Sequence, residues 1–457
     1  MNKYKQTLKF LTSLIAALGL TWIMREPSFS QAQTYVLFLL CFSVGLWLTE
    51  AIPPFAVGLF IIAYLAFTLG SELFTATPQD VQIYLNTFSS SVIWLMMGGF
   101  FLASAMTKTR LDADLIRVTM KVCGSDPKRV LFGLMAVTMV FSMLISNTAT
   151  TAMVIAALMP LLATLGKQSP VAKGLVLGIP IAATTGGMGT IIGSPPNAIA
   201  VGALAYAGHT VDFITWMYYG LPLTLFLTWL SWWVLVKRYM TKTEPRSVDV
   251  SASAGPAITP EFRAKRLTVT AILSVTLALW LTSPIHHLGA AAVSAIPLVF
   301  LPMTRILKGE DIRAIGWDTL ILVAGGLSLG TALQQTGLLD VYAGRLSSLQ
   351  VPSIVLCLIL AYATMLFSNV MSNTATSTVL IPLGMATLPG SSIEVCMIIG
   401  LSASTALFLP VSTPPNAIAY STGLIEQKDF RLGGLLMGLL GPAVIVCWVF
   451  LVGAMRG

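Results

Sequence analysis

Two short polar motifs occur twice, in the same order, within otherwise apolar sequence. Ser-Asn-Thr-Ala-Thr stands at residues 146–150 and again at 372–376, and Pro-Pro-Asn-Ala-Ile-Ala stands at 195–200 and again at 414–419. Hydroxyl and amide groups can bind an anion, and oxygen atoms are the ligands of hard cations. A Gly-Gly pair inside an apolar run also recurs, at 98–99 and 325–326. This repetition predicts a duplicated protein whose function lies at the repeated motifs.

The Ser-Asn-Thr motifs are predicted at the turns of two hairpins, at about 130–165 and 351–388. Ser and Asn side chains cap the starts of helices, and helix N-termini carry partial positive charge. Two facing hairpin tips would therefore favour an anion between them. The alternative is that these residues only cap a buried turn, which the presence of two equivalent copies makes less favoured.

The Pro-Pro-Asn motifs interrupt the apolar runs that follow each hairpin. Two prolines within a span remove backbone donors and free carbonyl groups, which must find other partners. Na⁺, which takes oxygen ligands, could be that partner. Gly186-Gly187-Met188-Gly189 loosens the first of these runs further. A plain proline kink is the alternative interpretation.

The composition predicts an all-α polytopic membrane protein. The chain has 457 residues, of which 56% are hydrophobic and only 10% charged, and its mean hydropathy is +0.84. Such a chain has too few polar groups to cover a soluble globule. About eleven apolar runs approach the roughly 20 residues needed to cross a bilayer, in addition to the two hairpins. The predicted spans lie near residues 8–24, 35–48, 55–70, 89–107, 175–206, 213–236, 267–282, 290–303, 317–333, 397–422 and 432–455.

The charge distribution predicts the orientation and explains a net charge of +8 without nucleic acid. With the N-terminus in the cytoplasm, only Arg25, Arg345 and Arg456 of the 26 Lys and Arg residues fall outside, which leaves 23 inside. That asymmetry is the positive-inside rule, and it places the C-terminus outside. The first hairpin is bracketed by basic residues and opens inward, whereas the second opens outward. Apart from the N-terminal span, the two repeats, each with five spans and one hairpin, are therefore predicted to be inverted relative to each other.

Chemically active side chains are scarce within the predicted spans. Glu50 and Asp318 fall at span ends, His209, His286 and His287 fall in outward loops, and the five cysteines are scattered singly. An intramembrane hydrolase would need a buried Asp pair or a Ser with a base, and a proton-coupled carrier would usually show a buried carboxylate or histidine. The remaining hydroxyls, amides, carbonyls and glycines suit the joint binding of Na⁺ and an anion, with no organic cofactor.

The paired motifs, together with Trp47-Leu48-Thr49-Glu50-Ala51-Ile52-Pro53, resemble the divalent anion/sodium symporter family of di- and tricarboxylate carriers. The resemblance covers nearly the whole chain. It implies a homodimer in which a scaffold holds a transport domain that moves as an elevator. On this basis residues 1–127 hold the N-terminal helix and first scaffold part, 128–236 the first transport part, 237–266 a cytoplasmic linker, 267–345 the second scaffold part and 346–457 the second transport part.

The resemblance also implies the site residues. One sodium site would use Ser142, Ser146, Asn147 and Gly193, and the other Ser368, Asn373 and backbone near Met371 and Ser412. Ser368 and Ser412 stand where similar carriers often have Thr and Ala. The residues implied for the substrate carboxylates are Asn147, Thr148, Ser194, Ser372, Asn373, Thr374, Thr413 and Pro414.

The predicted function is sodium-coupled import of a C4-dicarboxylate such as succinate, malate or fumarate across a bacterial inner membrane. The alternatives within the family are a sulfate or citrate carrier and a sodium-independent dicarboxylate exchanger. More distant alternatives are an anion or arsenite efflux protein and a membrane enzyme, and the enzyme has no candidate catalytic residues here.

Overall fold

The computed structural model describes residues 3–75, 77–166, 169–240, 260–347 and 351–456. Throughout these ranges the regular structure is helical, with no strand. The helices of the first half are α1 Lys3–Met24, α2 Gln31–Thr49, α3 Pro54–Leu69, α4 Gln82–Leu85, α5 Ser91–Lys108, α6 Leu111–Cys123, α7 Pro127–Ser142, α8 Asn147–Leu165, α9 Pro170–Gly186, α10 Pro195–Tyr206 and α11 Phe213–Tyr239. Those of the second half are α12 Pro260–Leu281, α13 Ser283–His286, α14 Ala290–Met303, α15 Gly309–Arg313, α16 Trp317–Gln335, α17 Leu338–Ser347, α18 Ser353–Val370, α19 Asn373–Thr387, α20 Ser392–Ser402, α21 Pro414–Ser421 and α22 Phe430–Arg456.

The helices have the length and composition of a polytopic membrane protein. Within the described ranges, eight helical segments are long and apolar enough to cross a membrane, and four shorter apolar helices accompany them. The all-α membrane class predicted from composition is thereby confirmed. The predicted number of eleven spans stays a prediction, because two of the eight segments, α8 and α18, are arms of the hairpins.

Both hairpins form where the Ser-Asn-Thr motifs predict them. The helices α7 and α8 are joined by residues 143–146, and α18 and α19 by residues 371–372. Each second arm begins at the Asn of its motif, because the preceding Ser side chain accepts a hydrogen bond from a backbone N–H in the first turn. The two arms pack against each other in each copy.

The broken helices differ from the prediction in the role of the prolines. The first of these helices ends at Gly186, upstream of the Pro-Pro pair, and irregular backbone follows until Pro195 begins α10. In the second copy α20 ends at Ser402, and Pro414 begins α21. The prolines therefore lie in the first turn of a new helix, where the missing N–H would be unpaired in any case.

Two helices of ten or more residues were not predicted from the sequence, and neither were the short helices α4, α13 and α15. The helix α6 follows a predicted span, and α17 precedes the second hairpin. On α6, Ile116 and Met120 are buried, whereas Val118 and Val122 are exposed. Most of the predicted linker, residues 241–259, lies outside the described residues.

Contacts divide the chain into two compact units. Unit 1 comprises Met1–Ile93, Ala198–Val211 and Gly316–Ala403. Its helices α3 and α16 pack backbone to backbone, since a Cβ built on Gly325 would lie 2.4 Å from Gly58 Cα. Small residues permit such close approach between helices in membranes. Hydroxyls add to this packing, because Ser328 Oγ donates to the Tyr84 carbonyl at 2.9 Å.

Unit 2 comprises Trp94–Asn197, Asp212–Ile315 and Ser404–Gly457. Its helix α9 packs against both α7 and α8, and α21 packs against α8. Gly186 is required here, because a Cβ on it would lie 2.4 Å from the Met139 carbonyl oxygen. The unit therefore holds the first hairpin directly against the first broken helix.

Candidate functional site

Oxygen atoms surround the side-chain amide of Asn147 at the tip of the first hairpin. Its Oδ1 accepts a hydrogen bond from Ser142 Oγ at 2.6 Å. In the opposite orientation of the amide, the nitrogen donates to that hydroxyl and to the carbonyl oxygens of Ala183 and Gly193, at 3.1 and 3.2 Å. Converging oxygens of this kind need either an N–H group or a cation among them. The Asn147 amide can therefore pair with these oxygens itself, and a cation at the residues predicted for the first sodium site stays a prediction.

The other residues predicted near this tip differ in exposure. Ser194 and Gly193 are buried, whereas Ser146 and Thr148 are exposed. Ser146 caps α8, since its Oγ accepts from Ala149 N at 3.3 Å. The Ser146 hydroxyl is thus already engaged in the cap. The Thr148 hydroxyl takes no part in that cap. All of these residues belong to unit 2.

Side chains from neighbouring elements hold the first broken helix in place. Asn197 Nδ2 donates to the carbonyl oxygens of Gly187 and Thr190, at 2.7 and 2.8 Å. Trp216 Nε1 donates to the Met188 carbonyl at 2.9 Å, and Thr190 Oγ1 donates to the carbonyl of Met143. The sequence predicts a cation as the partner of carbonyls freed in this way. For these four carbonyls that prediction is wrong, because amide, indole and hydroxyl groups already donate to them.

Several buried side-chain oxygens near the second hairpin tip have no hydrogen-bond partner in the described part of the chain. They are Ser368 Oγ, Asn373 Oδ1, Thr376 Oγ1 and Ser377 Oγ. Burial of a polar atom without a hydrogen bond is costly, and Ser368 and Asn373 are the two of these residues that the second predicted sodium site includes. A cation bound by both of them stays a prediction.

The helix cap at the second hairpin tip resembles the cap at the first. Ser372 Oγ caps α19 by accepting from Ala375 N at 3.1 Å, and Thr374 is buried. Met371 ends α18, with its N–H donating to the Phe367 carbonyl at 2.7 Å.

The second broken helix repeats the bonding of the first. Asn416 Nδ2 donates to the carbonyl oxygens of Leu407 and Leu409, at 3.3 and 3.0 Å. Ser412 Oγ accepts from Leu409 N at 2.9 Å, and Thr413 Oγ1 accepts from Asn416 N at 3.3 Å. The Asn of each Pro-Pro-Asn motif is therefore a structural residue that sequence reasoning did not single out, although its duplication was a signal.

The residues of the second predicted site come from both units. Residues 368–374 belong to unit 1, whereas Ser412, Thr413 and Pro414 belong to unit 2. Ser412 and Thr413 are buried, and Pro414 is exposed. Assembly of these residues into one site stays a prediction.

Ionisable side chains are remote from the motifs in sequence. Residues 130–165, 174–208, 353–388 and 395–425 contain no Asp, Glu, Lys, Arg or His. In the described part of the chain, no cluster of three or more His, Cys, Asp or Glu side chains could hold a metal ion. Binding at the motifs must therefore rely on hydroxyls, amides, carbonyls and helix N-termini.

Comparison with known proteins identifies the relatives of this chain. A family model described as citrate transporter matches residues 44–395. The chain is 29% identical over 468 aligned positions to the sodium-dependent dicarboxylate transporter SdcS of Staphylococcus saprophyticus, covering 94% of this chain and 88% of that protein. It is also 29% identical to SdcS of Staphylococcus aureus, covering 92% of this chain and 85% of that protein.

Solved structures agree in fold. The YdaH transporter of Alcanivorax borkumensis matches with a TM-score of 0.55 at 15% identity, covering 88% of this chain and 99% of that chain. MtrF of Neisseria gonorrhoeae matches with a TM-score of 0.58 at 12% identity, covering 89% of this chain and 97% of that chain. With a family model matched over most of its length and relatives that cover nearly all of it, the chain belongs to the citrate transporter family and is a membrane transporter rather than an enzyme.

Proposed function

We propose that this protein imports a C4-dicarboxylate such as succinate, malate or fumarate together with Na⁺. The observation that carries the proposal is the pair of hairpin tips at which oxygen atoms gather. Oxygens converge on Asn147 at one tip, and at the other Ser368 Oγ and Asn373 Oδ1 have no hydrogen-bond partner among the described residues. Each tip also begins a helix, α8 or α19, whose N-terminus favours an anion.

Sodium coupling follows from the charge of the substrate. A dianion that enters alone against an inside-negative potential of about 100 mV faces roughly 4.6 kcal/mol, at about 2.3 kcal/mol per charge. Two Na⁺ ions cancel this charge, and a third makes import electrogenic. Because the motif segments contain no cationic side chain, the ions themselves must neutralise the carboxylates. The names of the staphylococcal relatives support both the ion and the substrate class.

Binding is divided between the two hairpins in this proposal. Asn147, Thr148 and Ser194 bind one carboxylate, and Ser372, Asn373, Thr374, Thr413 and Pro414 bind the other. The protein works as a homodimer in the bacterial inner membrane, and its transport parts move as an elevator against the scaffold parts. The opposite orientation of the two hairpins suits such alternating access.

Citrate is the second candidate substrate, favoured by the description of the family model. A sulfate carrier and a sodium-independent exchanger are further alternatives. Two hairpin tips in segments without Lys or Arg suit two carboxylates better than three, because the third carboxylate would lack a counter-charge.

The test is uptake of radiolabelled succinate into liposomes that contain the purified protein. We expect uptake to require an inward Na⁺ gradient, to rise cooperatively with Na⁺ concentration and to be unaffected by a proton gradient. Unlabelled malate and fumarate should compete better than citrate or sulfate. Equal uptake in choline and sodium buffers would instead establish an exchanger, and stronger competition by citrate would establish the second candidate.

A further inference from the structure

Unit 1 contains a cavity of about 400 Å³ that the proposed function does not use. Five helices line it, namely α10, α16, α17, α19 and the start of α20. Its size lies within the range of small-molecule sites, about 300 to 1,000 Å³. At about 30 Å³ for each water in the liquid, it has room for on the order of a dozen non-hydrogen atoms.

Most of the cavity wall is apolar. Ile199 and Ala203 come from α10, Leu327 from α16, and Pro382 and Met385 from α19. Gly330 leaves space on α16, since the one atom within 4 Å of a Cβ built there is Pro382 Cγ at 3.3 Å. These walls suit a compact hydrocarbon body, whose transfer from water is favourable.

The polar part of the wall carries a single charge. Asp340 is the one charged residue among the described residues that line the cavity, and it is exposed. Thr331 Oγ1 donates to the Leu327 carbonyl at 2.9 Å, so its lone pairs remain for a ligand. Neutral groups that can both donate and accept also line the cavity, namely Tyr206, Gln334 and Ser392. The Asp340 carboxylate therefore favours a ligand head that is a donor with positive charge.

We propose that this cavity binds a small amphiphilic amine, with its apolar body between α10, α16 and α19 and its ammonium group near Thr331 and Asp340. An anionic head is disfavoured, because it would meet the Asp340 carboxylate. The amine class follows from the walls alone and is independent of the transported substrate.

The cavity also lies where a ligand could stop transport. This consequence rests on the proposed function, in which α16 and the lining part of α17 belong to the scaffold and α10 and α19 to the transport parts. An amine between them contacts both and holds one conformation, since a ligand stabilises the state that it binds. Inhibition should therefore lower the maximal rate of succinate uptake and leave its KM unchanged.

Equilibrium dialysis of tritiated phenylbutylamine against the purified full-length protein in nanodiscs tests the site, with empty nanodiscs as the blank. We expect saturable binding of one amine per chain. Phenylbutanol should displace it more weakly, and phenylbutanoate most weakly. Asp340→Asn should weaken amine binding about two- to fivefold, as for an exposed ion pair, and leave phenylbutanol unaffected.

Cavity-filling variants locate the site. Ala203→Phe and Gly330→Leu, on opposite walls, should abolish binding of all three compounds. Ala205→Phe is the matched control, because Ala205 is exposed on the same helix and does not line the cavity. Binding that persists in both filling variants, or stronger displacement by phenylbutanoate, would overturn the proposal.

If both filling variants misfold, the ratio of amine to alcohol affinity in Asp340→Asn decides, and an unchanged ratio counts against the site. Since dialysis needs no substrate, amine binding without succinate uptake would reject the proposed function and retain the amine site. Succinate uptake without amine binding would reject the amine site and retain the proposed function.

Discussion

At the scale of single residues, the hairpin hydroxyls have two different tasks. Ser146 and Ser372 cap α8 and α19, at 3.3 and 3.1 Å from the backbone nitrogens they accept from. The caps do not use Thr148 or Thr374, so these hydroxyls are available to a carboxylate. Substitutions can therefore separate binding from folding at positions two residues apart.

Thr148→Val and Thr374→Val should each weaken apparent succinate affinity about 10- to 150-fold. Each change removes a charge-assisted hydrogen bond of roughly 1.5 to 3 kcal/mol and preserves the shape of the side chain. Yield and melting temperature should hardly change, because the caps are intact. The measurement is the succinate KM of each variant in liposomes. A folded double variant with unaltered affinity would rule out this substrate site.

Ser146→Ala is the matched comparison, because it removes a capping bond. Loss of an N-cap costs about 1 kcal/mol of stability. We therefore expect a lower melting temperature, and a change in Na⁺ dependence as well if Ser146 is also a sodium ligand.

The two kinds of Asn should respond differently to substitution. Asn197→Ala removes both bonds that its amide donates and leaves the Gly187 and Thr190 carbonyls buried without partners. We expect unfolding free energy to fall by about 2 to 4 kcal/mol. Asn147→Ala should instead raise the Na⁺ concentration needed for uptake, with a smaller loss of stability. Thermal unfolding and Na⁺ titration of both variants check this, and equal loss of stability would contradict it.

These residues also show how far sequence reasoning reaches. The duplication predicted the hairpin tips, because polar residues within apolar sequence are costly and the same motif occurs twice. The donors to the freed carbonyls could not be assigned, because Trp216 and Thr190 meet their partners only through tertiary packing. Trp216 lies 28 residues from its partner and Thr190 lies 47 residues from its partner, so no sequence periodicity marks either pair.

At the scale of elements, long apolar helices were predictable and short amphipathic ones were not. The long apolar helices follow from hydrophobic length, and the hairpin turns follow from the duplicated polar motifs. The helix α6 has charged residues such as Arg117 and Lys121 among its apolar ones, and this mixture resembles a loop in a hydropathy profile. Its position is fixed by tertiary contacts, among them an ion pair between Asp114 and Arg266 of α12.

The short helix α15 is tied to the end of α5 by an ion pair between Asp311 and Lys108. Partial burial alone would raise the pKa of the Asp311 carboxyl. The Lys108 ammonium and the backbone N–H of Lys308 outweigh that effect and hold this pKa below its usual range. A lowered pKa means that the carboxylate form stabilises the fold.

Asp311→Asn should therefore lower the melting temperature at neutral pH. The effect should be complete above the unfolded-state pKa of about 3.9 and should vanish as pH falls through the lower folded-state pKa. Its size should stay below about 1 kcal/mol, because Lys108 is 36% exposed. Thermal scans from pH 7 downward provide the measurement, with Glu310→Gln on the same helix as the control. A difference that persists at the lowest pH would exclude this explanation.

At the scale of the whole molecule, contacts within the units agree with the predicted topology. The ion pairs Lys108–Asp311, Lys173–Asp429 and Arg266–Asp114 each join two segments that the charge distribution places in the cytoplasm. Hydrogen bonds from Ser283 to Asp212 and from Tyr342 to the Met24 carbonyl each join segments predicted outside. An additional or missing span between two such partners in the sequence would put them on opposite sides.

The orientation itself can be tested by cysteine labelling in cells. In a variant with its five native cysteines replaced, a cysteine introduced in the linker at 240–260 should react only from the cytoplasmic side. One introduced at Ser391, beyond the second hairpin, should react only from outside. The physical reason is the split of 23 Lys and Arg residues inside against three outside, which sets orientation during insertion.

A membrane-impermeant maleimide, applied before and after permeabilisation, distinguishes the two sides, and uptake of succinate by each variant confirms that it is folded. Labelling of both positions from the same side would contradict the inverted repeat, because three predicted spans and a hairpin that returns to its own side separate the two positions.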